Sequence, residues 1–250
     1  MREEPLDKLM RSAKYRDVCP EAIRRIYADC ARRYKKAKDA EHAARERLHG
    51  ITGAFLSEAD YKRALELASA GSWQALLELH ASTRERLPLA QLDAVYAQLF
   101  ELCGVPETLL DLACGFNPIY LAARYPDMRI TAADISGQSL RIVKACGAAQ
   151  TYWRDLICAD GVPDGRYDLA LLFKILPLLE REQAGAAMDV MRRCNACRLA
   201  VSFPTRTLGG RNVGMEQHYS EWMEAHVPEG RQLEARFVAG CELFYILKEN

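Results

Sequence analysis

Apolar and polar positions follow two different periods along this chain. Across residues 6–50, apolar side chains such as Ile23, Ile26 and Cys30 recur every three or four positions, which is the period of an amphipathic helix. From Thr108 onward, short apolar runs that end on acids alternate with helical stretches. Such alternation is typical of parallel strands joined by crossover helices. The pattern therefore predicts an α/β sheet preceded by helices.

Capping spacings predict where helices begin in the first hundred residues. Ser57 with Asp60, and Ser82 with Glu85, have the spacing in which a side chain caps a helix start. We expect the second of these helices to pass Pro88, because a proline early in a helix costs little stability. The helices expected here end near Ala70, Leu79 and Phe100.

The remaining residues predict the sheet. We divide the chain into a helical domain, 1–100, and a sheet domain, 101–250. The last two apolar runs flank Ala239 and Gly240 and predict a hairpin that closes the sheet. The expected strands are 108–113, 129–134, 150–154, 167–175, 198–203, 232–238 and 242–248, and the expected helices between them are 118–125, 136–146 and 180–194.

The turn after the first strand predicts a ligand site. Gly115 allows a tight turn and close approach of the backbone to a ligand, and Asp134 and Asp155 end the next two strands. An acid after the second strand commonly holds ribose hydroxyls. The turn lacks the three glycines of a dinucleotide site, so the spacing favours S-adenosylmethionine over NAD. The alternative is that these acids only cap helices.

Composition narrows the class of protein. Half of the 250 residues are hydrophobic, yet no apolar run approaches the length of a membrane span, and residues 1–8 do not resemble a secretory signal. Nine cysteines, an odd and scattered number, indicate a reducing cytoplasm. Cys194 and Cys197 form a lone C-x-x-C pair, which core thiols explain better than zinc.

Charge is distributed unevenly along the chain. The formal net charge is zero, but residues 11–47 hold 12 Lys or Arg against 6 Asp or Glu. A basic end on a neutral protein is suited to docking on a polyanion such as RNA. The alternative is an ordinary solvated helix face.

Two further segments carry candidate chemistry. His80, Ser82 and Arg86 lie close together in sequence, and the planar fork of an arginine suits a carboxylate such as that of S-adenosylmethionine. A surface ion pair for Arg86 and a plain cap for Ser82 are the alternatives. The glycine-rich segment 203–215, with Arg206 and Arg211, follows the fifth expected strand, where ligands bind in such folds.

Five further motifs are spread along the chain: R-L-H-G at 47–50, H-A-S-T-R-E-R-L at 80–87, D-L-A-C-G-F-N-P at 111–118, F-K-I-L-P-L-L-E-R-E-Q at 173–183 and S-F-P-T-R at 202–206. Together they resemble one family, the aminoglycoside-resistance 16S rRNA methyltransferases that act on N7 of guanine 1405. The resemblance implies a Rossmann-like class I S-adenosylmethionine-dependent methyltransferase sheet with an N-terminal all-helical domain. It implies that this domain docks on the 30S ribosomal subunit.

The resemblance also assigns the cofactor contacts. Asp134 would hold the ribose hydroxyls, Asp155 with Leu156 would recognise adenine, and Arg86 would hold the methionine carboxylate. The full expected set of cofactor-binding residues, with Gly115 from the turn, is Phe55, His80, Ala81, Ser82, Arg86, Ala113, Gly115, Asp134, Asp155, Leu156, Phe173 and Gln183.

Guanine N7 has a lone pair and no proton, so the methyl transfer requires no general base and depends on position. We therefore expect no catalytic acid or base, no metal, and neither a membrane nor DNA as a partner. Methylation of another nucleotide in the same region, such as an adenine N1, and a ribosome-binding module without activity are the alternatives. The residues expected to position the target base are Lys174, Arg206, Arg211, Met215 and Tyr219.

Overall fold

The computed structural model describes residues 4–205 and 214–250 of the chain. Its seven strands form one sheet. The strands are β1 (Thr108–Leu112), β2 (Arg129–Asp134), β3 (Gln150–Trp153), β4 (Tyr167–Phe173), β5 (Ala196–Pro204), β6 (Arg231–Ala239) and β7 (Glu242–Glu249).

The strand order in the sheet is β3-β2-β1-β4-β5-β7-β6. Strands β1 to β5 pair in parallel, and β7 pairs antiparallel with both β5 and β6. The predicted α/β sheet and its closing hairpin are therefore confirmed.

Twelve α-helices lie within the described residues, and none of them is long and apolar enough to cross a membrane. They are α1 (Pro5–Met10), α2 (Pro20–Arg33), α3 (Ala37–Thr52), α4 (Glu58–Ser69), α5 (Trp73–Leu77), α6 (Ala81–Arg84), α7 (Leu89–Cys103), α8 (Asn117–Arg124), α9 (Gly137–Ala145), α10 (Leu176–Glu182), α11 (Ala186–Arg193) and α12 (Met215–Ala225).

Apolar side chains form three large clusters. Two of them cover the two faces of the sheet, because central strands such as β4 carry buried residues on both faces. Helices α4, α5 and α7 contribute to the first of these. Helices α1 to α3 enclose a third cluster of their own, which includes Tyr15, Ile26 and Leu48. The N-terminal helices thus divide between a separate core and the core of the sheet.

Two helix predictions are wrong. The helix expected from Ser82 past Pro88 is interrupted, since α6 has His80 as its N-cap and α7 begins only after Pro88. Proline disfavours the helical conformation in the residue before it, and here that effect separates the two helices. The helix expected over 180–194 is also two helices, because Gly185 takes a left-handed conformation at φ 80° between α10 and α11.

Helix α12 was not predicted from the sequence. It follows the glycine-rich segment, of which residues 206–213 lie outside the described part of the chain. Its Met223 is buried, and Tyr219 and Trp222 pack against the sheet. This helix therefore places aromatic side chains beside the carboxyl end of β5.

Candidate functional site

The turn after β1 is tied to the end of β2. Ala113 and Gly115 adopt left-handed conformations, at φ 55° and 51°, and the Gly115 amide donates to Asp134 Oδ2 at 2.9 Å. A side chain at position 115 would meet the His80 ring, because its Cβ would lie 2.5 Å from His80 Cε1. Glycine is required here by both the conformation and the close packing.

Asp134 is a buried acid held by backbone amides. Its Oδ1 accepts a hydrogen bond from the Ser136 amide at 2.8 Å, and its Oδ2 accepts the bond from Gly115. Burial raises the pKa of Asp134, while the hydrogen bonds from the amides oppose that rise. Each carboxylate oxygen keeps an acceptor site, which suits ribose hydroxyls.

Asp155 lies at the carboxyl end of β3 and is nearly inaccessible, at 4% exposed. Its Oδ2 accepts a hydrogen bond from Arg25 Nε at 2.7 Å, and its Oδ1 accepts one from the Ile157 amide at 3.1 Å. Gly161 packs against this turn, since a Cβ there would lie 2.1 Å from the Asp155 carbonyl oxygen. The backbone around Asp155 and the buried Leu156 is therefore closely constrained.

Arg86 is buried in the middle of the site. Its guanidinium donates to both carboxylate oxygens of Glu242, at 2.7 and 2.9 Å, and to Asn117 Oδ1 at 2.8 Å. It also lies 5.0 Å from the centre of the Phe173 ring. Although burial opposes the charge on Arg86, Glu242 raises its pKa above the ordinary value. These hydrogen bonds use three of the five N–H groups of the guanidinium, so two can still donate to a ligand.

Asp111 is the first of the three strand-end acids, and it is not among the expected cofactor contacts. It lies one residue before the end of β1 at 1% exposure, and neither carboxylate oxygen has a partner within hydrogen-bond geometry among the described residues. Burial raises the pKa of Asp111 well above its usual range; Arg86 and the nearby Asn117 side chain oppose this shift, and Asp134 adds to it. The signal available in the sequence was an acid inside an otherwise apolar strand.

His80 is another buried residue of this region with an unsatisfied polar atom. Its Nδ1 is buried without a hydrogen-bond partner in the described part of the chain, and its ring packs on Phe116 at 4.9 Å between ring centres. Burial, together with the nearby charges of Arg86 and Lys174, lowers the pKa of His80 to about 4. The ring is therefore neutral at physiological pH.

Lys174 follows β4 in a left-handed conformation at φ 57°. Its ammonium group lies 2.6 Å from Glu85 Oε2 and 3.5 Å from Glu242 Oε1. Lys174 therefore belongs to the ion network around Arg86, and its role in positioning a base stays a prediction.

An aromatic cleft of ≈ 320 Å³ lies between α10 and α12. The Tyr219 ring stacks on Phe203 with 4.8 Å between ring centres, and the Trp222 ring meets Phe203 edge-on. Pro177, Glu180, Arg181 and His218 complete the lining. Met215 begins α12, close to this cleft in sequence, whereas Arg206 and Arg211 lie outside the described residues.

The other predicted site residues are spread more widely. Ala81 and Ser82 lie in the first turn of α6, so Ser82 is not the cap that its spacing suggested. Phe55 packs against the core of α1 to α3. Gln183 is exposed and lines a cleft between α2 and α10 together with Arg25. Cys194 is a buried thiol bonded to the Val190 carbonyl, in agreement with the interpretation as a core residue.

The residues at the carboxyl edge of the sheet fit S-adenosylmethionine. An amino acid zwitterion requires a cation for its carboxylate and an anion for its ammonium group, and Arg86 and the unpartnered Asp111 supply both. Asp134 and Asp155 add two buried acids for the nucleoside. This donor set explains why unpaired polar atoms are tolerated in a buried region.

Comparison with known proteins identifies a family for the arrangement. A family model described as ribosomal RNA methyltransferase (FmrO) matches residues 11–246. The 16S rRNA (guanine(1405)-N(7))-methyltransferase of Serratia marcescens is 43% identical over 253 residues, covering 99% of this chain and 98% of that protein. The protein of the same description from Micromonospora rosea is 33% identical over 260 residues, covering 96% and 93%.

Solved structures agree with the sequence relatives. The 16S rRNA methyltransferase RmtF, in complex with S-adenosyl-L-homocysteine, superposes with a TM-score of 0.88 at 39% identity and covers 100% of both chains. The 16S rRNA methylase RmtB gives 0.87 at 37% identity, covering 98% of this chain and 97% of that one.

Proposed function

The chain belongs to the FmrO family of ribosomal RNA methyltransferases, and we propose that it methylates N7 of guanine 1405 in the 16S rRNA of the 30S subunit. The observation that carries the proposal is the set of buried acids and Arg86 at the carboxyl edge of the sheet. It occurs in a chain that matches proteins of this activity over nearly its whole length.

The proposed cofactor contacts follow from the donors described above. Asp134 binds the ribose hydroxyls, Asp155 and Leu156 recognise adenine, Arg86 binds the methionine carboxylate, and Asp111 binds the ammonium group. S-adenosylmethionine supplies a methyl group on a positively charged sulfur. Burial of these contacts in a region of low dielectric strengthens each hydrogen bond to the charged end of the ligand.

The reaction at N7 requires no proton transfer, so the protein contributes position. The target guanine must leave its stack, at a cost of a few kcal/mol. We assign the compensating stacking to the aromatic cleft of Tyr219 and Trp222, because aromatic faces bind unstacked bases irrespective of sequence. Lys174, Arg206, Arg211 and Met215 remain predicted contacts of the same base or its phosphates.

We assign docking on the 30S subunit to the N-terminal helices. The predicted boundary near residue 100 then separates a docking domain, 1–100, from a methyltransferase domain, 101–250. The side chains of Arg24, Arg32 and Arg33 on α2 are 56%, 79% and 67% exposed, so their charges are available to phosphates. Phosphate contacts of this kind supply affinity without sequence specificity.

Resistance to aminoglycosides follows from the proposed product. N7-methylguanine carries a positive charge and has lost a hydrogen-bond acceptor. A polycationic drug bound beside it would lose a hydrogen bond and meet repulsion. We therefore expect resistance to gentamicin-type and kanamycin-type drugs, with apramycin still effective.

The test is to incubate purified protein with S-adenosylmethionine and 30S subunits and to map modified bases by primer extension. We expect one new modification, at guanine 1405, and its loss in Asp134→Ala, with S-adenosylmethionine binding lost in calorimetry. Modification of an adenine instead would replace the proposed target. No modification together with normal cofactor binding would indicate a binding module without activity.

A further inference from the structure

We propose that Arg25 is a positioning residue of the cofactor site, through which helix α2 fixes Asp155 and couples cofactor binding to RNA docking. The inference rests on the proposed function, because it assumes that Asp155 recognises adenine and that α2 faces the RNA. It concerns an ion pair between residues 130 positions apart.

The ion pair has the geometry of a structural contact. Arg25 Nε lies 2.7 Å from Asp155 Oδ2, and the two side chains are 17% and 4% exposed. Arg25 also lines the cleft between α2 and α10, together with Gln183. Burial of a carboxylate is unfavourable without a partner, and in the described part of the chain Arg25 is the only basic side chain hydrogen-bonded to Asp155.

The start of α2 is also joined to the segment that follows Asp134. The Cys19 amide donates to the Ile135 carbonyl at 2.9 Å, and the Gly137 amide donates to the Asp17 carbonyl at 2.8 Å. Residues Val18 and Ser136 form an antiparallel bridge between these two bonds. The residues that follow Asp134 are therefore held by the segment that leads into α2, and Arg25 of the same helix holds Asp155.

These contacts assign Arg25 two effects. First, Arg25 and the Ile157 amide together use two of about four acceptor sites on the Asp155 carboxylate, so the others stay available and oriented for the adenine amine.

Second, Arg25 shares one 14-residue helix with Arg24, Arg32 and Arg33, whose charges are exposed. A ligand that fixes Asp155 thereby favours the docked position of the helix that binds phosphates. Such coupling is reciprocal between the two sites.

The first test measures the affinity for S-adenosylhomocysteine by calorimetry in Arg25→Gln. Arg24→Gln is the matched control, since Arg24 is the neighbouring arginine and its one ion pair among the described residues is with the half-buried Glu21 at 3.7 Å. We expect Arg25→Gln to bind about tenfold more weakly, the effect of losing a charge-assisted hydrogen bond on an acceptor, and the control to bind as the wild type does. Equal affinity in Arg25→Gln and the wild type would overturn the proposal.

Kinetics distinguish positioning from a general loss of structure. In Arg25→Gln we expect a raised KM for S-adenosylmethionine and an unchanged kcat at saturation, because Arg25 does not touch the reacting atoms. Arg25→Lys keeps the charge and should bind severalfold more weakly than the wild type but more tightly than Arg25→Gln. If Arg25→Gln does not fold, as judged by its melting curve, the Lys variant alone decides: wild-type affinity in it overturns the proposal.

The second test measures binding to 30S subunits with and without saturating S-adenosylhomocysteine. We expect the ligand to tighten wild-type binding by roughly fivefold or more, the lower end of typical coupling, and to do the same in Arg24→Gln. In Arg25→Gln the ratio should fall to about one. A ratio of one in the wild type, or an undiminished ratio in Arg25→Gln, would refute the coupling. The binding ratio does not depend on whether the wild type methylates guanine 1405. Failure of the proposed function would therefore show in the primer-extension assay and not in this ratio.

Discussion

At the residue scale, the site is dominated by buried charges that do not all pair with one another. Arg86 and Glu242 compensate each other through two hydrogen bonds, and Arg25 compensates Asp155. Asp111 has no comparable partner, so its burial raises its pKa. An uncompensated acid lowers stability, and such strain is typical of residues kept for a ligand.

This difference predicts opposite pH dependences for two aspartates. The folded-state pKa of Asp111 is raised, so the wild type loses stability as the pH rises above the unfolded value near 4, and Asp111→Asn should gain relative stability over that range. The pKa of Asp168 is lowered by hydrogen bonds from Thr108, so the wild type loses stability as the pH falls below the unfolded value near 4, and Asp168→Asn should lack that loss. Urea unfolding between pH 2 and pH 8 measures both slopes.

The same variants separate stability from binding. Asp111→Asn should bind S-adenosylmethionine at least about tenfold more weakly, because an amide cannot take up the negative charge that the ligand's ammonium group favours on Asp111. Asp168→Asn should bind normally, since Asp168 caps the opposite end of the strands through the amides of Glu107 and Thr108. Normal binding by Asp111→Asn would remove this residue from the site.

A second residue-scale prediction concerns Gly161. In Gly161→Ala the new Cβ would lie 2.1 Å from the Asp155 carbonyl oxygen, so the turn that carries Asp155 and Leu156 must move. We expect a loss of about 1–3 kcal/mol in the free energy of unfolding, as in overpacked cores, together with weaker cofactor binding. Gly50→Ala is the control: among the described residues, nothing beyond its chain neighbours and the backbone of its own helix lies within 4 Å of the new Cβ, and alanine should stabilise helix α3 by about 0.5–1 kcal/mol. Thermal unfolding and calorimetry test both.

At the element scale, strands were easier to predict than helix ends. Buried parallel strands are continuous apolar runs, so β1 and β2 lie within one residue of their predicted ends. The two helices on either side of Pro88, and the two on either side of Gly185, share one continuous amphipathic pattern. The sequence therefore predicts a single helix in each case, and only the backbone conformation at the break shows that there are two. The ion pair of Arg25 with Asp155 joins distant segments, and no local pattern in the sequence indicates it.

Strand β7 offers a prediction with an internal control. Glu242 at its start is buried against Arg86, whereas Glu249 at its end pairs with the exposed Arg166. Glu242→Gln leaves a buried guanidinium without its counter-charge and should cost about 3–5 kcal/mol of unfolding free energy. Glu249→Gln should have a much smaller effect, because water screens an exposed pair. Similar losses in the two variants, measured by urea unfolding, would contradict the burial argument.

At the scale of the whole molecule, function depends on where charge lies and not on how much there is. The chain is formally neutral, yet its exposed arginines on α2 lie on the helix that also contacts the cofactor site through Arg25. Attraction to RNA phosphates and recognition of the cofactor therefore converge on one helix. A uniformly basic protein would bind RNA without this orientation.

Charge reversal tests this distribution. Changing Arg32, Arg33, Lys35 and Lys36 to Glu should weaken binding to 30S subunits and reduce its salt dependence, by up to roughly 0.9 in slope per lost phosphate contact, while S-adenosylmethionine affinity stays unchanged. The matched control reverses four basic residues at the opposite, amino edge of the sheet, so the two variants have the same net charge. If binding to 30S subunits depended only on net charge, both variants would lose affinity equally. If the position of the charges decides, only the variant at residues 32–36 will bind more weakly. The control residues are Arg129, Lys144, Arg192 and Lys248.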